Sequence, residues 1–291
     1  MSSGIGGSTA QAELAALAAW PTPAPAITAA ERGDRIRRAQ ALMAELSAEA
    51  LIIGAGPSLR YFTGVGWNAT ERLTLEIRRT LAANRMEHGA HLRLMVTRGE
   101  KAAANQDPRN WLGTPTIVIT AEYKEPSPTI VSRGLSLFTS SVRCTPAEMF
   151  DMRINSHSRL SLITALLEAI AAGADEALML DPNGCVSSCN ATNFFWVKDG
   201  RVRTSTGDYC FNGVTRANVI ALCRDNGVPI TLGDFELNDV HAADEAFVTG
   251  TFGGLTPVRA IDGHELPQAL PGPVTATLRT LYDALKDAHA L

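Results

Sequence analysis

The sequence predicts a mixed α/β (α+β) protein organised as two domains. Three observations carry that prediction. Between residues 173 and 254, apolar runs of strand character alternate with short loops of Gly, Thr, Ser and Asn, as in Gly173-Ala-Asp-Glu-Ala-Leu-Met-Leu-Asp181 and Thr249-Gly-Thr-Phe-Gly-Gly254. Helical stretches at 159–172 and 215–225 interrupt this series of strands. A smaller set of β-branched and apolar runs lies upstream, at 92–99 and 116–120. With 291 residues and 45% hydrophobic content, the chain can fill one large core or two moderate ones.

In order, residues 1–30 are rich in Ala, Ser, Gly and Pro and predict a disordered tail, because Pro21-Thr-Pro-Ala-Pro25 stops any helix begun over 12–20. A smaller α/β domain is expected over 31–145, its first part (31–74) atypical, and a larger one over 146–291. Ile36, Ala39, Leu42, Met43 and Leu46 share one face of a helix over 31–46. Ala50-Leu-Ile-Ile53 reads as a short strand and Gly54-Ala-Gly-Pro57 as a turn. An amphipathic helix over 73–86 leads to strands at 92–99, 116–120 and 135–142, and 146–153 reads as a connector. In the helix over 159–172, Leu160, Ile163, Leu166, Leu167 and Ile170 make the apolar stripe, the face such a helix turns to a core. Gly227 is placed to end the helix that runs to 225. Gly272-Pro-Val-Thr275 opens a C-terminal helix with Leu278, Leu281, Tyr282 and Leu285 inward.

A net charge of −4 speaks against a nucleic-acid or anionic-membrane surface. No apolar run is long enough to span a bilayer, and the first residues lack the basic and apolar regions of a secretion signal. Five cysteines without close pairing fit a reducing cytoplasm. Cys185 and Cys189 do not have zinc-knuckle spacing and no HExxH is present, so no metal centre is expected. Only four lysines occur among 26 basic residues: Lys101, Lys124, Lys198 and Lys286. Chemistry that needs a lysine amine therefore has few candidates.

Two resemblances are carried by motifs. The helix, strand and Leu59-Arg-Tyr-Phe-Thr-Gly-Val-Gly-Trp67 run, over about 31–72, resemble part of the N-terminal domain of creatinase/aminopeptidase P-type proteins, without that family's metal ligands. Over about 75–285, Arg93-Leu-Met-Val-Thr-Arg-Gly99, Gly173-Ala-Asp-Glu-Ala-Leu, Asn193-Phe-Phe, Val197-Lys-Asp-Gly, Gly213-Val-Thr-Arg216, Ala243-Asp-Glu-Ala-Phe-Val-Thr-Gly-Thr251 and Pro257-Val-Arg-Ala-Ile-Asp-Gly263 resemble, in order and spacing, the class IV aminotransferases. Branched-chain and D-amino-acid aminotransferases belong to that group.

The resemblance implies the fold-type IV architecture, a homodimer, pyridoxal 5'-phosphate as cofactor, and transamination of an amino acid/2-oxo acid pair. It assigns the phosphate to Val214 and Thr215, which open a helix with backbone N–H groups, a hydroxyl and the helix dipole, and to the hydroxyls of Thr249 and Thr251. Ser188 and Asn193 fall at cofactor-binding positions, and Arg98 at one that binds a substrate carboxylate through its bidentate fork.

Three departures qualify this. The family's lysine, which forms a Schiff base and moves a proton, falls at Asn155 by the count back from Gly173, or at Arg159 by the Asn-Ser-His-Ser run. Neither is lysine, and arginine, always protonated, cannot replace it. Lys101, beside Arg98, is the remaining substitute. The acidic partner of the pyridine nitrogen, five residues before Asn193, is Ser188. The family's N-terminal block with its phosphate arginine is not recognisable. Three readings stay open: transamination, a catalytically degenerate homologue that binds a phosphate-bearing ligand, and a lyase or hydrolase using Cys189, Thr249 or His157.

Overall fold

A computed structural model describes residues 69–289, except 113, 114 and 126, together with isolated positions between 28 and 41. The expected tail, the strand at 50–53 and the creatinase-like run up to residue 68 lie outside the described residues. The described chain divides into two units between Glu122 and Tyr123.

The first unit contains helix α1 (Ala69–Ala83) and strand β1 (Ala90–Thr97), which pairs with β2 (Thr116–Tyr123). Between the strands, a turn of 3-10 helix (Pro108–Asn110) is capped by Asp107, whose carboxylate accepts from the Arg109 amide at 2.9 Å.

The second unit is built on a nine-stranded mixed sheet. Its strands are β3 (Leu135–Thr139), β4 (Glu176–Leu180), β5 (Val186–Cys189), β6 (Asn193–Lys198), β7 (Arg201–Thr204), β8 (Ile230–Leu232), β9 (Glu245–Gly250), β10 (Gly254–Ile261) and β11 (His264–Glu265). They run in the order β5-β4-β3-β10-β9-β6-β7-β8, with β11 on β10. Parallel pairs need a crossover, and helices supply it. After α2 (Pro128–Arg133) and β3, the chain passes α3 (Ala147–Phe150) and α4 (Leu160–Ala171) before β4; α5 (Val214–Asp225) joins β7 to β8, and α6 (Leu237–His241) precedes β9. The hairpin between β6 and β7 turns on Asp199-Gly200, both at positive φ (50° and 72°), the backbone a tight two-residue turn requires.

β6 explains why the sheet reads as unbroken hydrophobicity. Successive strand residues point to opposite faces. Phe194 and Trp196 enter one core with Leu137, Leu178 and Val248, while Phe195 and Val197 enter another with Val219, Phe247 and Leu278. Helices α5 and α7 (Pro273–Ala288) supply the second of these cores.

Two expectations are corrected. The strand at 135–139 belongs to the larger unit, because β3 pairs in parallel with both β4 and β10; the division falls at 122/123 and not near 145. The stripe Leu160, Ile163, Leu167 and Ile170 on α4 faces outward, each residue more than half exposed. The inward face is Ala165 and Ala169, packed with Cys144, Met152, Ala177 and Met179. Glu168 fixes that rotation. Its carboxylate accepts from the hydroxyls of Ser140 (2.7 Å) and Ser141 (2.6 Å) and from the Ser141 amide (2.8 Å). These donors hold its carboxyl below the usual range. Small alanines let the helix lie close to the sheet, and the carboxylate selects them over the larger stripe. The expected connector at 146–153 contains α3.

The start of α7 is tied to β9 by Glu245, which is buried. It accepts from the amides of Val274 (3.0 Å) and Thr275 (2.9 Å) and from the Thr275 hydroxyl (2.8 Å). Two of these three hydrogen bonds satisfy orphan amides of the helix start, and the third holds the buried Thr275 hydroxyl. Glu245→Ala is expected to cost about 3 kcal/mol of stability, read as a lowered urea midpoint with an unchanged slope.

Candidate active site

The site begins at the N-terminus of α5. Gly213 is its N-cap, in extended conformation, and no side chain caps the helix. The first amides, those of Val214 and Thr215, therefore face outward from the helix start with the positive end of its dipole behind them. Gly213 is required here by close approach: a Cβ would lie 2.7 Å from Asn193 Oδ1.

Asn193, buried at the start of β6, holds this arrangement together. Its Nδ2 donates to the Phe211 carbonyl (2.7 Å) and to Ser188 Oγ (3.2 Å), and its Oδ1 accepts from the Gly213 amide (3.3 Å). Ser188, on β5, donates to the Thr192 carbonyl at 2.8 Å. From below, the buried Arg216 braces the same loop, donating to the Ser205 carbonyl (2.7 Å) and to Asn212 Oδ1 (3.0 Å). Burial pushes its guanidinium below its ordinary value. The sequence marks Arg216 only as the last residue of a Gly-Val-Thr-Arg run; the signal for its bracing role is no more than an arginine in the first turn of a helix.

The β9–β10 hairpin contributes Thr249 and Thr251 to the same lining. Thr249 is 2% exposed, and its hydroxyl has no hydrogen-bond partner among the described residues. The Thr215 hydroxyl lies 3.4 Å from that of Tyr282. The third wall is the run before α4. There Arg159 donates through Nε to the Ser156 carbonyl (2.8 Å) and through Nη2 to Asn155 Oδ1.

These groups line one cleft of about 350 Å³, within the range of small-molecule sites. It brings together Asn155, Arg159, Ser188, Asn193, Val214, Thr215, Thr249 and Thr251. The two candidate lysine positions thus stand beside the expected phosphate residues. Arg98 and Lys101 belong to the other unit. Arg98 is exposed, its carbonyl accepting from the Trp111 indole, and the Lys101 ammonium donates to the Asn105 carbonyl.

The three lysines of the larger unit are engaged elsewhere. Lys124 sits 4.7 Å from the Phe252 ring centroid, Lys198 pairs with Asp244 (2.9 Å) and Lys286 with Asp283 (2.8 Å). None of these three lines the cleft. His157 lines a neighbouring hollow with Leu160 and Ile163.

The chemistry of the donors can be weighed directly. Thiols of Cys144, Cys189 and Cys210 line the cleft, and burial raises all three, Cys144 to about 11. Such thiols stay protonated at neutral pH and are poor nucleophiles, which weighs against hydrolysis at Cys189. A phosphate suits the free helix amides and the idle Thr249 hydroxyl. The phosphate end of pyridoxal phosphate therefore fits. Its covalent end does not, since no lysine lines the cleft from this unit, and Ser188 offers the ring no carboxylate. Among the described residues no cluster of His, Cys, Asp and Glu could hold a metal ion.

Comparison with known proteins accords with this geometry. The family model for amino-transferase class IV matches residues 58–261, taking in the end of the creatinase-like run. Branched-chain-amino-acid aminotransferase-like protein 2 of Arabidopsis thaliana is 38% identical over 224 residues, covering 76% of this chain and 39% of that one. The chain thus spans about two-fifths of the length of that relative. D-alanine aminotransferase of Listeria monocytogenes is 32% identical over 222 residues, covering 73% of this chain and 72% of that one. Among solved structures, the T.th. branched-chain amino acid aminotransferase complexed with N-(5'-phosphopyridoxyl)-L-glutamate superposes with a TM-score of 0.66 at 30% identity, covering 73% of this chain and 69% of the other. The mixed α/β fold is that of these fold-type IV enzymes, and the chain belongs to the class IV aminotransferases.

Proposed function

We propose that the chain is an aminotransferase-like protein whose cleft binds pyridoxal 5'-phosphate by its phosphate, without a covalent bond to lysine, and that its second ligand is a small amino or 2-oxo acid. The single observation that carries the reading is that one cleft is lined both by Thr249, whose buried hydroxyl has no partner among the described residues, and by the uncapped start of α5. Free helix amides and a hydroxyl without a partner are the kinds of donor a phosphate takes. The aldehyde supplied by the bound cofactor reacts with amines. In this chain Val214, Thr215, Thr249 and Thr251 bind the phosphate, Asn193 holds the loop that shapes the cup, and Ser188 stands on the ring side with its proton already given to Thr192. Arg159 or Asn155 stands at the proposed lysine position, and that substitution is what argues for a noncovalent mode of binding. Five free cysteines support a cytoplasmic setting, and no described helix is long and apolar enough to cross a membrane.

The same reading includes a homodimer. On α4, Leu160, Ile163, Leu167 and Ile170 repeat at spacings of three, four and three, the seam by which two helices pack in register. A patch of large aliphatic side chains this exposed calls for cover, and a second copy of the same stripe is complementary to it about a two-fold axis. Replacing both Ile163 and Leu167 by Glu is expected to halve the mass seen by light scattering while the circular dichroism spectrum is kept.

Two further outcomes test the cofactor reading. Borohydride reduction of the wild-type protein with pyridoxal phosphate should leave no added phosphopyridoxyl mass on any lysine. Arg159→Lys or Asn155→Lys should acquire it at whichever position is the true counterpart of the family's lysine; attachment at Lys101 in the wild type would refute the noncovalent reading. Thr249→Val, nearly isosteric, removes a buried hydroxyl with no partner. It should raise the stability of the ligand-free protein by about 1 kcal/mol and weaken binding of pyridoxamine 5'-phosphate about tenfold, by urea unfolding and calorimetry respectively.

A further inference from the structure

Among the described residues, the lining of the cleft has one charged residue, Arg159, and no carboxylate. That charge distribution is unusual for a site expected to hold both a lysine and an acid, and it states what the cleft accepts. Nε and Nη2 of Arg159 are engaged by the Ser156 carbonyl and Asn155 Oδ1, within its own loop. These bonds fix the plane of the guanidinium. Among the described residues no carboxylate pairs with it, and no hydrogen bond involves its Nη1. A planar, permanently charged donor held in place with an unused edge is suited to a carboxylate.

The phosphate donors belong to other elements, the start of α5 and the β9–β10 hairpin. Phosphate and carboxylate therefore do not compete for one set of donors. Ser188 matters as well: it puts a hydroxyl where the family has an acid, so among the described lining residues no carboxylate repels a second negative charge.

We propose that Arg159 makes this cleft a two-anion site, selective for ligands that carry a carboxylate together with the phosphate, of the class formed when pyridoxal phosphate is joined through its aldehyde carbon to the nitrogen of an amino acid. This rests on the phosphate-cup reading above. In forming such a ligand the amino acid's amine adds to the aldehyde carbon and one water leaves, so neither a lysine nor a redox partner is required.

The test compares two stable probes by calorimetry: pyridoxamine 5'-phosphate, which lacks the carboxylate, and N-(5'-phosphopyridoxyl)-L-leucine, which has it. The wild-type protein should bind the conjugate about tenfold more tightly or better. Arg159→Gln should bring the ratio of the two affinities close to one, and Arg159→Lys, which keeps the charge and loses the fork, should retain part of the preference. Equal affinities in the wild type, or a preference that survives Arg159→Gln, would overturn the assignment. Binding of both probes without discrimination leaves the phosphate cup standing and removes only the role of Arg159. Binding of neither, with inorganic phosphate also silent, overturns both.

Discussion

The larger unit depends on one amide. Asn193 opens β6, an interior strand of the sheet, and its side chain bonds to the chain just before α5. A helix N-terminus left uncapped and directed at a cavity is a costly way to end a helix, unless something else fixes the approaching chain. Asn193 does so by bonding the Phe211 carbonyl and the Gly213 amide, while Arg216 secures Ser205 and Asn212 from beneath. The α5 amides are thereby left for a ligand. The absence of a Cβ at Gly213 is part of the same device, since the Asn193 oxygen occupies the space a side chain would take.

Much of this was legible in the residues. Helix starts and turns announce themselves through Gly, Pro and Asp-Gly, so the hairpin at Asp199-Gly200 and the start of α5 fell where their chemistry put them. The cleft was legible too: the residues expected around a phosphate and those standing at the lysine position converge on one cavity. What the sequence did not disclose was rotation and partnership. On α4, the larger apolar residues marked a stripe, but Glu168, bonded to Ser140 and Ser141, turned the alanines inward. Hydrophobic periodicity measures where apolar side chains lie, and not which of two apolar faces has a polar anchor beside it. The assignment of β3 failed for a related reason: strand pairing is a long-range choice, and a five-residue apolar run says nothing of its neighbours.

The substitutions in the cleft form a consistent set. With Arg159 or Asn155 at the proposed lysine position and Ser188 at that of the acid, the cleft would lose a nucleophile and a negative charge, while Arg159 keeps a positive one. Had the acid been kept beside Arg159, the two would have competed for a ligand's charges. Among the described residues the lining of the cleft carries a positive charge and no negative one, which favours anions.

The idle hydroxyl of Thr249 has a consequence beyond affinity. A donor buried without a partner is a standing deficit in the empty protein, and any ligand that repays it closes the deficit and adds its own binding energy to the folded state. The chain's lifetime against unfolding and proteolysis is then coupled to the supply of that ligand. In a cell poor in phosphorylated pyridine the protein would be removed faster than it is made, so its abundance would itself report the ligand's concentration.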